Sequence, residues 1–461
     1  MAPVRFANRN PFATPRGWFV NPVLREKMMQ SVGLAESEAE RTALRHMASA
    51  PTAFWVDRKA KIRGTTVDTM EGLLLNNSRG AKQLVVLILY NLPNRDCNAM
   101  ASNGEICCDG HGGAGSPCSH TSGGSCEAGL REYREEYIQP ISEVLGRFHS
   151  SMPLILVLEP DSMGNVVTNA GSGGCTDATL AAYRSGIRFA AEKLAAAAPT
   201  AALYVDAGHG GWLGFEKNAQ RFAEVVHDMD IARFVRGFST NVANYQPLGL
   251  SAACPRDAFE TTGVSDAQQG GSMGGLAHWC NEGRSFKAGG VVVYSASKLG
   301  CCAEDPCGLV AQGNGGPTEL SYAQTLQRHF MRRMNWQPRF VIDTGRNGNK
   351  EQRSKCASWC NVRGAGAGHV PSMNTGLPGV VDAFMWLKTP GESDGCTRLL
   401  PSGGRCARFD PACEGDDAIG GRPYEPRAPE AGDWFAFQAR ALARNLWNVP
   451  LCAGTTSTTA H

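Results

Sequence analysis

The 461-residue chain lacks any apolar run of the length needed to span a bilayer. Its first residues, Met1-Ala-Pro-Val-Arg-Phe6, lack the apolar core of a secretory signal. Net charge is nearly absent: 45 Lys and Arg stand against 43 Asp and Glu, a balance of +2 with no basic cluster. That balance argues against nucleic acid, and the missing apolar span against membrane, as partners. No Gly-x-Gly-x-x-Gly or Walker loop follows an apolar run, so nucleotide binding has no support. There is no Gly-x-Ser-x-Gly elbow and no His-rich metal set, so neither a metal nor another cofactor is expected. Internal repeats and linkers are missing too. The chain therefore reads as one domain over 1–453, followed by a Thr/Ser-rich tail, 454–461, with the composition of an O-glycosylated linker stub or a frayed terminus.

Cysteine, by contrast, is abundant. Seventeen are scattered rather than gathered in paired Cys-x-x-Cys sets, which argues for an oxidising compartment. Cys356-x3-Cys360 and the doublets Cys107-Cys108 and Cys301-Cys302 have the wrong company for a tetrahedral zinc site. The expectation is a secreted, extracellular, monomeric protein in its mature form, with Met1 added. Two Cys- and Gly-rich insertions, near 106–129 and 246–317, are too long and polar for plain connections and read as disulfide-held loops. Pairings among most of the cysteines stay open.

Leu154-Ile-Leu-Val-Leu-Glu-Pro-Asp161 is a short continuous apolar run that ends on two carboxylates. Such a run reads as a fully buried parallel strand. Similar strands are predicted at Ala53–Val56, Leu84–Tyr90, Ala202–Asp206, Gly237–Asn241, Arg339–Asp343 and Ala383–Leu387, with Val291–Tyr294 inside the second insertion. Helical periodicity covers Ala35–Ala48, Leu130–His149, Thr176–Ala197, Tyr322–Met334 and Ala431–Asn445, and residues 1–35 read as loop. Strand, loop and helix in alternation mean an α/β fold with a mostly parallel sheet, and a barrel fits better than an open sheet. Barrel chemistry sits at the C-terminal strand ends. There the chain places Asp96, Glu159, Asp161, Asp206, Asp343, Glu392 and Asp394, with Arg346, Lys388 and His209.

Several carboxylates on one face suit acid/base work on glycosidic bonds, where one acid is protonated and another ionised. A like charge nearby raises the pKa of the designated acid. Trp55, Tyr90, Trp212, Trp359 and Trp386 lie beside these positions, and aromatic rings bury the apolar faces of sugars well. Trp386, inside an apolar strand, reads as core; Trp212 and Trp359, in polar loops, read as site.

Asn91-Leu-Pro-Asn-Arg-Asp-Cys-Asn-Ala-Met-Ala-Ser-Asn-Gly-Glu105 resembles the first signature of glycoside hydrolase family 6, the cellobiohydrolase II and endoglucanase family. Leu158-Glu-Pro-Asp-Ser-Met-Gly-Asn-Val-Val-Thr-Asn169 resembles its second. Tyr204–Gly214, Thr240–Tyr245, Trp359-Cys-Asn361 and Lys388–Gly395 continue in the family's order, and Asn10-Pro-Phe12 and Pro429–Trp434 match its two ends. The resemblance spans the chain, with two insertions.

It implies a distorted, incomplete (β/α) barrel with long disulfide-linked loops over the active face. It implies hydrolysis of β-1,4-glucosidic bonds of cellulose with inversion, releasing cellobiose from non-reducing ends, or open-cleft endoglucanase action. Asp161 matches the general acid, and Asp96 the carboxylate that raises its pKa. Asp394 matches the residue often proposed as base, although water in this family is thought to be activated through a chain including Ser102. Tyr90 matches the tyrosine pressing on the distorted sugar. Trp55, Asp57, His209, Trp212, Asn244, Trp359, Lys388 and Glu392 match substrate-binding positions. Cys97 with Cys175, and Cys360 with Cys413, match the family's disulfides. Phe215 departs from the tunnel-entrance Trp of fungal cellobiohydrolases, and Ser393 from a cysteine common there; no cellulose-binding module is present. The long segment Asp394–Trp434, with Cys396, Cys406 and Cys413, suggests a roofed tunnel.

Overall fold

The structure is a computed structural model that describes residues 9–112, 118, 124–249, 314–316, 318–348, 353 and 358–446, and the backbone of 285–288 and 291–295. The cysteines of the second insertion, Cys356 and the tail lie outside the described residues, as does any pairing among them.

Seven parallel strands form one curled sheet in chain order: β1 (Phe54–Val56), β2 (Val85–Leu89), β3 (Leu154–Leu158), β4 (Ala202–Asp206), β5 (Gly237–Thr240), β8 (Arg339–Asp343) and β9 (Val381–Met385). Neighbours in space are neighbours in sequence, as right-handed crossovers through helices require. The curl nearly closes. Thr52 bridges Trp386 in parallel, Ala53 N–H donates to Trp386 O, and Trp55 Nε1 donates to Leu387 O at 2.8 Å. The sheet is thus a partial barrel whose first and last strands meet at a short seam. Within the second insertion β6 (Ser285–Ala288) and β7 (Val291–Ser295) pair antiparallel as a separate hairpin.

Strand interiors such as Leu87, Ile88, Leu156 and Val157 are fully buried, as expected of strands covered on both faces. Side chains of one parity (Leu87, Leu89, Leu156, Leu158) face the helices in the main core. Those of the other (Val86, Ile88, Ile155, Val157) fill the barrel interior with Phe12 and Tyr204. Trp386 has no solvent exposure and packs with the helices at the seam, as core.

Helices cover the outside: α1 (Pro22–Val32), α2 (Glu38–Met47), α3 (Met70–Arg79), α4 (Glu127–Glu132), α5 (Gln139–Phe148), α6 (Ser162–Thr168), α7 (Asp177–Ala197), α8 (Gly210–Leu213), α9 (Glu216–Asp228), α10 (Glu319–Met334) and α11 (Ala436–Arg444). None of the described helices is long and apolar enough to cross a membrane. A π-helical turn, Tyr133–Ile138, joins α4 to α5. In α7 the predicted stripe of Leu180, Tyr183, Ile187, Ala191 and Leu194 is buried.

The structure corrects several boundaries. Residues 1–35 are not all loop, because α1 begins at Pro22. Asn21-Pro22, within that expected loop, is the start of the helix: the Asn21 side chain accepts the Val23 N–H and Pro22 sits in the first turn. Ser37 caps α2, which therefore starts at Glu38 rather than Ala35. Thr318 and Ser321 form a capping box that starts α10 at Glu319 rather than Tyr322. The closing helix starts at Ala436, not Ala431, since Gly432 at φ 88° breaks any helix there. Helices α3, α6 and α9 were not foreseen.

Ten described cysteines form five disulfides: Cys97–Cys175, Cys107–Cys118, Cys108–Cys126, Cys360–Cys413 and Cys396–Cys406. Two are the family pairs. Cys107–Cys118 closes a loop within the first insertion, Cys108–Cys126 ties it to the start of α4, and the last closes a ten-residue loop within 394–434.

Candidate active site

At the C-terminal strand ends the backbone turns through left-handed conformations at residues other than glycine. Asn94 and Asp96 follow β2, Glu159 and Asp161 follow β3, Asn241 and Ala243 follow β5, and Asn361 precedes β9 (φ 41° to 65°). Such turns are strained and persist where surrounding bonds over-determine them.

Three strand-end carboxylates supply those bonds. Fully buried Glu159 accepts the N–H groups of Asn91 and Leu92 and the Tyr133 hydroxyl (2.8 Å), so it ties the loop after β2 to β3. Asp206 accepts the Asp161 and Gly208 N–H groups at 3.0 and 2.8 Å and the Ser239 hydroxyl. Asp343 accepts from Gly345, Leu387, Lys388 and Ala243 N–H. Glu159, one of the strand-end carboxylates beside Asp161, thus spends its oxygens inside the scaffold. Burial raises Glu159 to about 7 against its hydrogen-bond donors, and Asp343 to about 6.

The remaining carboxylates, Asp96, Asp161, Glu392 and Asp394, line one cavity of about 520 Å³. Asp161 keeps one face to this cavity. Burial, and then the charge of Asp394, raises it to about 7, so it carries a proton where an ordinary aspartate has none. Asp96 is raised by burial and then by Asp161, with Arg95 opposing. Asp394 is held by donors on both oxygens. Its Oδ1 accepts Arg346 Nη1 at 2.6 Å, and its Oδ2 accepts the Tyr245 hydroxyl at 2.7 Å and the Asn361 N–H at 2.8 Å. Arg346 is itself fully buried and lies 4.2 Å over the Tyr245 ring. A proton-bearing Asp161 and an Asp394 whose oxygens are both taken by donors therefore face the same space.

Tyr90 meets Trp55 edge-on, with centroids 5.5 Å apart, and burial holds its hydroxyl neutral. Arg95 lies 4.3 Å over the Tyr90 ring and donates to Asp57 O and Ser102 O at 2.7 Å, so it pins the Ser102 loop to β1 and β2. Lys388 Nζ sits 5.3 Å over Trp55 and 3.9 Å from Glu392; burial lowers its pKa, with Glu392 opposing. Burial opposes ionisation of Asp57, but Lys61 at 2.7 Å, Arg95 and Arg58 together lower its carboxyl. Burial lowers His209 to about 3 with help from Arg353; it is neutral, and its buried Nδ1 has no partner. Trp212 is fixed by its Nε1 donating to Thr168 Oγ1 at 2.7 Å. Asn244 and Trp359 complete the lining.

Every residue expected to react or bind sugar thus lines the same cavity: Asp161, Asp96, Asp394, Tyr90, Ser102, Trp55, Asp57, His209, Trp212, Asn244, Trp359, Lys388 and Glu392. Not foreseen were Lys61, Arg95, Asn98, Asn165, Asn169 and Arg408. Arg95, Asn98, Asn165 and Asn169 lie inside the two signature stretches, which was the available signal. Two loops meet over the cavity. Met100 N–H donates to Asp410 Oδ2 at 3.0 Å, and Arg408 Nη1 donates to Asn103 O at 3.4 Å. Among the described residues, the only metal-like group is Cys396, Cys406 and Glu430; its two sulfurs are joined in a disulfide, which leaves no thiolate to bind an ion.

A proton donor and a fixed anion facing a cavity lined with aromatic rings and hydroxyl partners are the equipment for hydrolysing a glycosidic bond. The family model "Glycosyl hydrolases family 6" matches residues 13–268 and 276–446, and the chain belongs to that family. Exoglucanase 3 of Agaricus bisporus is 30% identical over 95% of this chain and 78% of its own. The 1,4-β-D-glucan cellobiohydrolase C of Emericella nidulans is 31% identical, over 95% and 79%. Cellobiohydrolase II (Cel6A) of Humicola insolens, solved with glucose and cellotetraose, superposes with a TM-score of 0.69 at 28% identity, over 95% of this chain and 99% of that one.

Proposed function

We propose that this glycoside hydrolase is a secreted, monomeric, inverting cellobiohydrolase, a single catalytic domain over 1–453 that releases cellobiose from non-reducing ends of β-1,4-glucan chains. The observation that carries the reading is the pairing of a proton-bearing Asp161 with an Asp394 fully engaged by Arg346, Tyr245 and Asn361 at one cavity. Asp161 donates its proton to the leaving oxygen. Asp96, raised by Asp161 in turn, keeps the acid protonated and takes up a proton afterwards.

Asp394 has both oxygens occupied by donors, so it acts best as fixed negative charge beside the developing oxocarbenium ion. The attacking water passes its proton through Ser102 to Asp96, which has handed its own proton to Asp161 once the acid has protonated the leaving oxygen. Tyr90 presses on the distorted ring, and Trp55, Asp57, His209, Trp212, Asn244, Trp359, Lys388 and Glu392 hold the flanking sugars. Support for exo action comes from the hydrogen bonds that join the 96–105 and 394–434 loops over the cavity, and from the names of the relatives.

Proton NMR of cellohexaose hydrolysis, run beside Asp161→Ala, tests this. The expected first product is α-anomeric cellobiose, with most activity lost in the variant. Early products of mixed length point to endoglucanase action, and binding without hydrolysis overturns the enzyme.

A further inference from the structure

The His209–Trp212 turn rests on a buried carboxyl that lies outside the cavity. Glu319, the first residue of α10, has no solvent exposure, and its Oε1 accepts the Gly210 N–H at 2.8 Å. One turn along α10, the Tyr322 hydroxyl donates to Ala207 O at 2.6 Å. Asn314 Nδ2 donates to Gly210 O at 3.1 Å. These bonds clamp the segment Ala207–Leu213, which sends His209 and Trp212 into the cavity. Clearance is small: a Cβ on Gly210 would stand 2.3 Å from Gly316 O, 3.2 Å from the Tyr322 Cβ and 3.4 Å from Glu319 Oε1.

The other oxygen, Glu319 Oε2, is buried without a hydrogen-bond partner. Burial raises the carboxyl to about 7, chiefly against the Gly210 N–H. A buried carboxyl with half its capacity unused lowers stability relative to an apolar side chain of similar size. Its use therefore lies in what it holds.

We propose that Glu319 is a positioning residue for substrate: through the Gly210 N–H it sets the turn that presents His209 and Trp212 to the glucan. The inference rests on the cavity being a glucan site. A leucine at 319 leaves the Gly210 N–H buried with no acceptor, and the turn is then free to shift toward another.

The test measures kcat, KM and thermal unfolding on cellohexaose for the full chain with Glu319→Gln, Glu319→Leu and Tyr322→Phe, each also combined with Trp212→Ala. Glutamine keeps an acceptor oxygen for Gly210, so Glu319→Gln is expected within about twofold of the parent KM. Glu319→Leu is expected to raise KM about tenfold while kcat changes less than about threefold. That effect disappears beside Trp212→Ala, because the group it acts through is already gone. Tyr322→Phe removes the second clamp without removing the ring and raises KM in the same sense, which keeps the test decisive if Glu319→Leu does not fold. An unchanged KM in Glu319→Leu or Tyr322→Phe overturns the proposal. So does a tenfold effect that persists beside Trp212→Ala, or an equal loss with glutamine. A parent that leaves cellohexaose intact overturns the glucanase reading instead.

Discussion

Asp161 and Asp394 show how two aspartates one cavity apart are driven into different states. Burial and a neighbouring anion hold a proton on Asp161, raised to about 7, while Arg346, Tyr245 and Asn361 occupy Asp394. The acid is useful only while protonated, so kcat/KM of the parent is expected to fall as pH rises through about 7. Asp161→Asn should lower kcat by about a hundredfold or more, with KM nearly kept. Asp394→Asn should move the alkaline limb of its residual activity to lower pH, since the charge that raises Asp161 is gone. It should also lower the melting temperature, because breaking a buried ion pair costs about 3–5 kcal/mol. Paired pH–rate profiles and melting curves check both. At this scale the sequence showed which carboxylates end strands but not which way they face. Glu159, Asp206 and Asp343 share a position in the pattern with Asp161 and Asp394; the backbone donors that take up their oxygens mark them as scaffold.

Among the elements, strands were the most legible, because continuous Leu, Ile and Val runs bounded by polar residues have few alternatives in a parallel sheet. Helix starts were less so. Asn21-Pro22 has the same letters whether it makes a turn or opens a helix, and the packing of α1 against α2 and α11 decides the matter. The π turn at Tyr133–Ile138 has no periodic signature, yet it sends Tyr133 to Glu159 and the Tyr137 hydroxyl to Val56 O and Tyr90 N–H.

The loops over the cavity are held by few groups, so they respond sharply to single changes. Asp410→Ala removes the acceptor of the Met100 N–H and should raise the share of internal cuts, read as faster viscosity loss of a soluble cellulose derivative per reducing end released. Replacing Cys97 and Cys175 together by alanine should cost about 2–5 kcal/mol in denaturant unfolding. Activity should fall further than stability alone predicts, since the bridge sits beside Asp96.

For the whole molecule, several buried carboxyls share one direction. Glu159, Asp161 and Glu319 are raised to about 7 and Asp343 to about 6, each chiefly by burial. Unfolded, such groups titrate near about 4. Between that value and about 7 the folded state binds more protons than the unfolded one, so stability falls as pH rises. Carboxyls lowered by partners, such as Glu425 with Arg363 despite burial, act the other way and lose their contribution as pH falls through their folded values. The melting temperature is therefore expected to be higher at pH 5 than at pH 7.5, which calorimetry at constant ionic strength would show.

Helix α11 joins opposite ends of this architecture. Arg440 reaches Glu36 and Glu40 beside α2, while Gln438 donates to Asn361 Oδ1 at 3.0 Å, within the cluster that holds Asp394. On the ribosome this means that the first two helices emerge more than 380 residues before the surface they cover. They wait with an apolar face unprotected, and the active centre stays unfinished until α11 arrives. Birth order and assembly order run opposite ways, so a stalled or clipped product ending before α11 would be both sticky and inert.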